Sequence, residues 1–244
     1  MKRLLKKIVF PGLDLHTRCR YRWLPKMFLP GPLETLDVGF GNGALSFAAY
    51  NKGNKVLGIT LDPMQIEKAR RFFRVKEPER LEFQCMNAYD LVKLGRQFDQ
   101  IICSEMLEHV REDQRMVRLF WNILKPGGVL HLCCPFALHP EHNLGRVDNP
   151  DDGGHVRDGY TYDSYSSLLG QNGFVIEKRL GLESSSLVAM DKLLRLLRHK
   201  LGDAGALPLF LAALPFSLLL DHLNPKVPFS VYVLARKPSG SEIT

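Results

Sequence analysis

Three glycines, Gly39, Gly41 and Gly43, follow Asp37 in the run LETLDVGFGNGALSFAAY, which begins at Leu33 and turns apolar and helical after the last glycine. Glycine at these places lets the backbone turn tightly after a strand and come close to a ligand, with the first N–H groups of the next helix facing it. With Ala44 in the last place the run also satisfies the dinucleotide pattern G-x-G-x-x-G/A, and Asp62 lies near where that pattern wants its ribose acid. Asp37 argues the other way. A carboxylate beside the loop is poorly placed next to a pyrophosphate and well placed to attract the cationic amino or sulfonium end of a small ligand.

A second group of residues offers proton chemistry. Glu105, Glu108 and His109 lie in SEMLEHV, Ser104 to Val110, and three more histidines, His139, His142 and His155, lie in the polar stretch Pro135 to Gly159. Histidine is the commonest general base, and such a base typically contributes about a hundred- to ten-thousandfold to rate. His109 is the first candidate, with a structural place at a helix start as its alternative. His155, in GGHVRDGYT, is second, with an ordinary loop donor as alternative, and His142 is third. His139, His142, Asp148 and Asp152 show no metal-ligand spacing, so no metal is expected.

These groups need a scaffold, and the pattern around them supplies one. Short apolar runs, Thr35 to Val38, Lys55 to Thr60, Leu81 to Cys85, Phe98 to Cys103 and Val129 to Cys134, alternate with segments of helical period. Pro63 to Phe73 puts Ile66, Ala69 and Phe73 on one face, and Asp113 to Leu124 does so with Met116, Leu119, Phe120 and Ile123. This is the pattern of an α/β protein with a doubly wound sheet, whose ligands sit beyond the carboxyl ends of the strands. The length of the stretch 135–159 predicts a functional loop or lid. A helix from Tyr162 to Gln171, stopped by Asn172-Gly173, leads to a sixth strand, Phe174 to Leu180, and the last strand is Phe229 to Arg236.

At this point the chain resembles the class I S-adenosylmethionine-dependent methyltransferases. The resemblance runs from Leu36 to Leu180 and returns in the last strand. It rests on LDVGFGNG, on the Phe98-Asp99 start of the fourth strand, on SEMLEHV, and on LKPGGVL, Leu124 to Leu130. It implies a Rossmann-like seven-stranded sheet of order 3-2-1-4-5-7-6, last strand antiparallel, with helices on both faces. It also implies S-adenosylmethionine as methyl donor, S-adenosylhomocysteine as product, and a donor site around Asp37, Gly39, Gly41, Gly43 and Glu105. Asn87-Ala88 matches the family's Asp-Ala beside the adenine. The family places a ribose-binding acid at the end of the second strand, where this chain has Thr60. A subgroup similar to the cyclopropane synthases also has threonine there and uses a glutamine five residues on, where Gln65 stands. Asp62 is the other ribose candidate, its alternative being a helix N-cap before Pro63.

Composition bounds the rest. The chain has 244 residues, 45% hydrophobic, with net charge +7, so its surface attracts anions. Five cysteines without CxxC spacing suit a reduced, cytoplasmic protein in which they pack. The start MKRLLKKIVFPG carries four positive charges but a very short apolar run, and is expected not to be a cleaved signal. Residues 1–30 read as a basic helical segment, 31–181 and 227–237 as the core, 182–226 as a helical hydrophobic insertion and 238–244 as a tail. In the insertion, Leu187 to Leu201 puts Met190, Leu193, Leu194, Leu197 and Leu201 on one face, and Ala204 to Leu220 has no charge for 17 residues. Pro208 and Pro215 interrupt that run, which only just reaches the roughly 17 to 25 residues a span needs. Residues 187–220 therefore read as a peripheral membrane contact, or else as a lid, a dimer contact or a core hairpin. The expected activity is methyl transfer to a hydroxyl of a small or lipid-linked, glycan-type acceptor at the cytoplasmic membrane face. Methylation of a quinone precursor and a non-catalytic donor-binding subunit stay open beside it. Nucleic acid is disfavoured, because neither a base-flipping motif nor a basic stripe interleaved with aromatics is present.

Overall fold

The computed structural model describes residues 10–73, 75–142 and 154–239. The four charges of the first residues, residues 143–153 of the expected loop or lid 135–159 with Asp148 and Asp152, and the end of the tail lie outside the described residues.

Seven strands form one sheet: β1 (Glu34–Val38), β2 (Lys55–Thr60), β3 (Leu81–Cys85), β4 (Phe98–Ser104), β5 (Leu124–Pro135), β6 (Val175–Leu182) and β7 (Ser230–Arg236). Their order is β3-β2-β1-β4-β5-β7-β6. β7 runs antiparallel to both neighbours, and the other pairings are parallel. Successive side chains of a strand point to opposite faces, and both faces are covered. Ile101, Cys103, Leu132 and Cys134 join a core completed by helices α4 (Asp113–Ile123) and α5 (Tyr162–Gly170). Ile102, Cys133 and Tyr232 face the other way, toward α1 (Leu15–Trp23), α2 (Ala44–Asn51) and α3 (Pro63–Phe72). All five cysteines are free thiols, and four of them are buried.

The LKPGG turn is part of a strand. β5 pairs Leu124 with Phe98, bulges, and resumes with Val129 opposite Gln100. Gly127 takes a left-handed φ of 78° in the bulge, and two backbone bonds tie Gly127 and Gly128 to Lys237 after β7. Lys125 Nζ meets both oxygens of Asp99 at 2.9 and 3.0 Å, which accounts for the aspartate after Phe98.

The insertion is α6 (Ser185–Leu220), broken into two helices at Gly202, where φ is 70° and ψ 172°. Its ends meet, because Ser184 Oγ donates to the Leu220 carbonyl at 2.8 Å. It is therefore a helical hairpin. The buried face of its first half differs from the one expected. Leu187, Val188, Asp191 and Leu194 are buried, whereas Leu193 and Leu201 point outward. The cause is Asp191, a charged residue off the apolar face of Met190, Leu193, Leu194, Leu197 and Leu201. It accepts from Leu15 N at 2.7 Å, lies 3.1 Å from His16 Nε2 and pairs with Arg195 at 2.8 Å. Those contacts rotate the helix so that a charge faces α1. The second half leaves Phe216 63% and Leu219 80% exposed.

Candidate active site

A cavity of about 590 Å³ opens at the carboxyl ends of β1 and β4. Asp37, Gly39, Gly41, Gln65 and Glu105 line it together. Five of the residues expected at the donor thus converge there. Gly39, Gly41 and Gly43 all have positive φ, but they do different work. A Cβ at Gly39 would lie 2.8 Å from Met106 Cγ, and one at Gly43 would lie 2.8 Å from the Phe73 ring, whereas Gly41 faces open space. Gly41 is the point of close backbone approach, and Gly43 is a packing glycine between α2 and α3.

Asp37 is 2% exposed and accepts from Ser46 Oγ at 2.6 Å. Burial pushes its carboxyl up to about 7, against the lowering effect of the Ser46 hydrogen bonds. A cationic ligand in the cavity would restore the charged form.

The second strand's end settles into a relay. Thr60 Oγ1 donates to Gln65 Oε1 at 3.1 Å and accepts from Asp62 N at 3.2 Å. Gln65 lines the cavity, while Thr60 and Asp62 lie outside its lining. Asp62 instead caps α3 through Met64 N at 2.8 Å, with Pro63 at the first helical position. Of the two ribose candidates, the structure brings Gln65 to the cavity and holds it with Thr60. Asn87 and Ala88 also lie outside the lining; Asn87 caps the short helical turn Ala88–Leu94 through Tyr89 N at 3.0 Å.

Glu105 occupies a strained position. Its φ is 54°, unusual for a residue with a Cβ, and its N–H donates to Cys133 O at 2.7 Å. Such a conformation costs on the order of 1–3 kcal/mol and clusters at functional sites. Burial raises its pKa and Arg20 partly offsets this. Arg20 Nη1 stands 3.5 Å from both Glu105 and Glu183. Burial works against the guanidinium charge, but the two acids outweigh it, so Arg20 stays charged.

Arg20, Thr17, Tyr21, Phe10 and Pro11 all line the cavity. The N-terminal segment therefore walls the donor site, a role the sequence reading missed, since no spacing motif marks Arg20 within CRYRW. The wall is fastened by His16, whose Nδ1 is 2.5 Å from Glu183 Oε2 and whose ring stacks on Phe229 at 4.3 Å.

The histidines separate into two groups. His109 and His155 meet edge to face at 4.7 Å, beside the buried Glu108. Burial, reinforced by the charge of Glu105, pushes the Glu108 carboxyl up to about 8. His142 stands apart, its ring 4.2 Å from Phe229 and its Nδ1 donating to Phe136 O at 3.1 Å. His139 lies 5.4 Å from His142.

Comparison with known proteins agrees with this geometry. Residues 35–128 match the methyltransferase domain family. A ubiquinone biosynthesis O-methyltransferase of Coxiella burnetii is 32% identical over 118 residues, 48% of this chain and 50% of that protein. One from Xanthomonas campestris pv. campestris is 35% identical over 108 residues, 44% of each chain. The chain thus spans about half the length, or less, of the curated relatives it matches. The crystal structure of an S-adenosylmethionine-dependent methyltransferase from Mesorhizobium loti superposes with a TM-score of 0.59 at 18% identity, covering 91% of this chain and 99% of that one. Residues 35–128 are thus a methyltransferase domain, set in a seven-stranded sheet that has the fold of the class I S-adenosylmethionine-dependent methyltransferases.

Proposed function

We propose that the protein transfers the methyl group of S-adenosylmethionine to a hydroxyl of a lipophilic acceptor of the quinone-precursor kind, at a membrane surface. The observation that carries the reading is the cavity in which Asp37, the glycine loop, Gln65 and Glu105 converge, within a few residues of the Glu108 and His109 cluster. The names of the two curated relatives support a quinone precursor over the glycan-type acceptor. In the reaction the acceptor oxygen attacks the methyl carbon in line with the carbon–sulfur bond, whose electron pair stays on sulfur, and the hydroxyl proton passes to a base at the site, for which His109 is the first candidate, or to solvent. The leaving group is already activated, so alignment and exclusion of water supply much of the rate.

The membrane part of the proposal rests on the hairpin. It is long and apolar enough to cross a membrane by length and composition, yet only 17% of its most apolar window is buried. The break at Gly202 and the return of its end to Ser184 suit a hairpin lying in the interface. Three of its four lysines and arginines are paired inside the chain: Lys192 with Glu141, Arg195 with Asp191 and Arg198 with Asp203. Apolar burial rather than charge should therefore dominate, and binding to vesicles should survive high salt.

The test is a turnover assay with a prenylated dihydroxybenzene in phospholipid vesicles, following S-adenosylhomocysteine. Turnover is expected, and the double substitution Phe216→Glu with Leu219→Glu should abolish vesicle co-sedimentation while leaving donor affinity unchanged. Donor binding without turnover on any acceptor would favour a non-catalytic subunit. Unchanged co-sedimentation would remove the hairpin as membrane contact.

The donor half carries its own prediction. Gln65→Ala should weaken S-adenosylhomocysteine binding about tenfold, the worth of roughly one to two neutral hydrogen bonds. Asp62→Ala should leave affinity nearly unchanged and lower stability by about 1 kcal/mol through the lost cap. Calorimetric titration and a melting curve on each variant separate the two, and the reverse pattern would return the ribose to Asp62.

A further inference from the structure

Three residues other than glycine take a left-handed φ among the described residues, and two of them are acids, Glu105 with φ of 54° and Glu183 with 66°. Each such residue costs on the order of 1–3 kcal/mol and persists only where its surroundings over-determine it. Both carboxylates reach the same nitrogen. Arg20 Nη1 stands 3.5 Å from Glu105 Oε2 and 3.5 Å from Glu183 Oε1.

The two acids differ in what else they meet. Glu183 is fully buried, lies outside the lining of the donor cavity and uses its second oxygen on His16 Nδ1 at 2.5 Å. His16 is held in turn by Asp191 at 3.1 Å, and the Glu183 carbonyl accepts from Phe229 N at 3.1 Å, so this acid is fixed at the base of the hairpin. Glu105 lines the cavity, and its Oε1 is buried with no hydrogen-bond partner among the described residues. A carboxylate oxygen in that condition is costly unless an N–H group or a cation meets it.

A full ion pair between guanidinium and carboxylate closes to about 2.7–2.9 Å and is commonly bidentate. Arg20 has closed on neither acid. The attraction of Glu183 holds it back from Glu105, and that pull disappears when the Glu183 charge is removed. The guanidinium would then settle on Glu105 and cover both of its oxygens. The cavity would lose a negative group that faces the cationic amino end of S-adenosylmethionine or S-adenosylhomocysteine.

We propose that Glu183 is a positioning residue for the methyl donor: by sharing Arg20 it keeps Glu105 Oε1 open to the donor's amino group. The inference rests on the reading of the cavity as the donor site. Glu183 touches no reacting atom and acts through Arg20. The charge balance at the donor is thereby set from the base of the hairpin, more than 160 residues away in the chain from the arginine that transmits it.

The test is calorimetric titration of the full chain with S-adenosylhomocysteine and with its deaminated analogue, which keeps the carboxylate and lacks the amino group. In Glu183→Gln, affinity for S-adenosylhomocysteine should fall at least about tenfold, the worth of one charge-assisted hydrogen bond, and affinity for the analogue should stay within about twofold. Glu183→Asp keeps the charge but is one methylene short of reaching both His16 and Arg20, and it should show the same split to a smaller degree. In an Arg20→Met background, Glu183→Gln should cost less than about twofold toward either ligand, because residues that act through one another are not additive. Equal weakening of both ligands in the Glu183 variants would mean a general distortion and overturn the positioning role. Unchanged affinity for S-adenosylhomocysteine would overturn it too, as would an undiminished loss in the Arg20→Met background. A wild-type protein that binds neither ligand would instead sink the donor reading of the cavity.

Discussion

Gly39→Val is expected to weaken S-adenosylhomocysteine binding by at least a hundredfold, the largest effect of any single substitution at the donor site. Two costs combine. The backbone at Gly39 has φ of 71°, which a β-branched residue adopts only under strain. Its Cβ would also stand 2.8 Å from Met106 Cγ and 3.0 Å from Met106 Cβ. Met106 follows Glu105, so relief of that contact must move either the glycine loop or the end of β4, and both carry cavity residues. The loop resists, because Gly39 N and Phe40 N both donate to the Ile59 carbonyl, at 2.9 and 3.2 Å. Gly41→Ala shares the positive φ but meets nothing within 4 Å, so it should cost affinity without disturbing Met106. Calorimetry on both variants, with a cooperative melt required of each, checks the comparison. Binding by the Gly39→Val protein within tenfold of wild type would mean that the loop is not the donor's seat.

His16→Leu is expected to cost about 3 kcal/mol of stability near pH 6, and much less at pH 10. Burial disfavours the His16 charge, but hydrogen bonds to Asp191 and Glu183, with their charges, outweigh it and raise its pKa to about 9. A shift of that size corresponds to roughly 3 kcal/mol. The folded pKa lies above the unfolded one, so the stabilisation is complete below about pH 6.5 and is lost as pH rises through about 9. Removing the imidazole leaves Glu183 and Asp191 buried, with Arg20 and Arg195 as their remaining counter-charges among the described residues. Breaking a buried ionic group by deleting one partner typically costs about 3–5 kcal/mol. Urea unfolding of both proteins across pH 6 to 10 should show the gap closing; a gap independent of pH would mean that His16 is neutral in the fold.

Much of the architecture was legible from local chemistry. The apolar runs that became β1 to β4 are short and bounded by turn residues, and the glycine spacing and Asp37 mark a loop that approaches a small ligand. Asp62 shows where local reading reaches its limit. Aspartate before proline fits both a helix cap and a ribose contact, and only the position of α3 decides that its carboxylate bonds Met64 N. Asp191 shows a second limit. An apolar periodicity gives no weight to a buried charge, so it chose the face of Leu193 and Leu201 and left out Asp191, which packs against His16. Arg20, His16 and Glu183 were out of reach for a third reason, because they meet across more than 160 residues of chain and no short spacing encodes such a contact.

The latch between α1 and the hairpin makes the donor site a product of both ends of the chain. One wall comes from Phe10 to Tyr21, and its fastening comes from Glu183, Asp191 and Asp221, the last bonded to Trp23 Nε1 at 2.7 Å. A polypeptide synthesised from its N-terminal side completes its glycine loop before the hairpin that fastens the cavity wall exists. Capture of the donor is therefore a late event in the life of the chain, and a fragment holding only the matched domain would carry the loop without the enclosure.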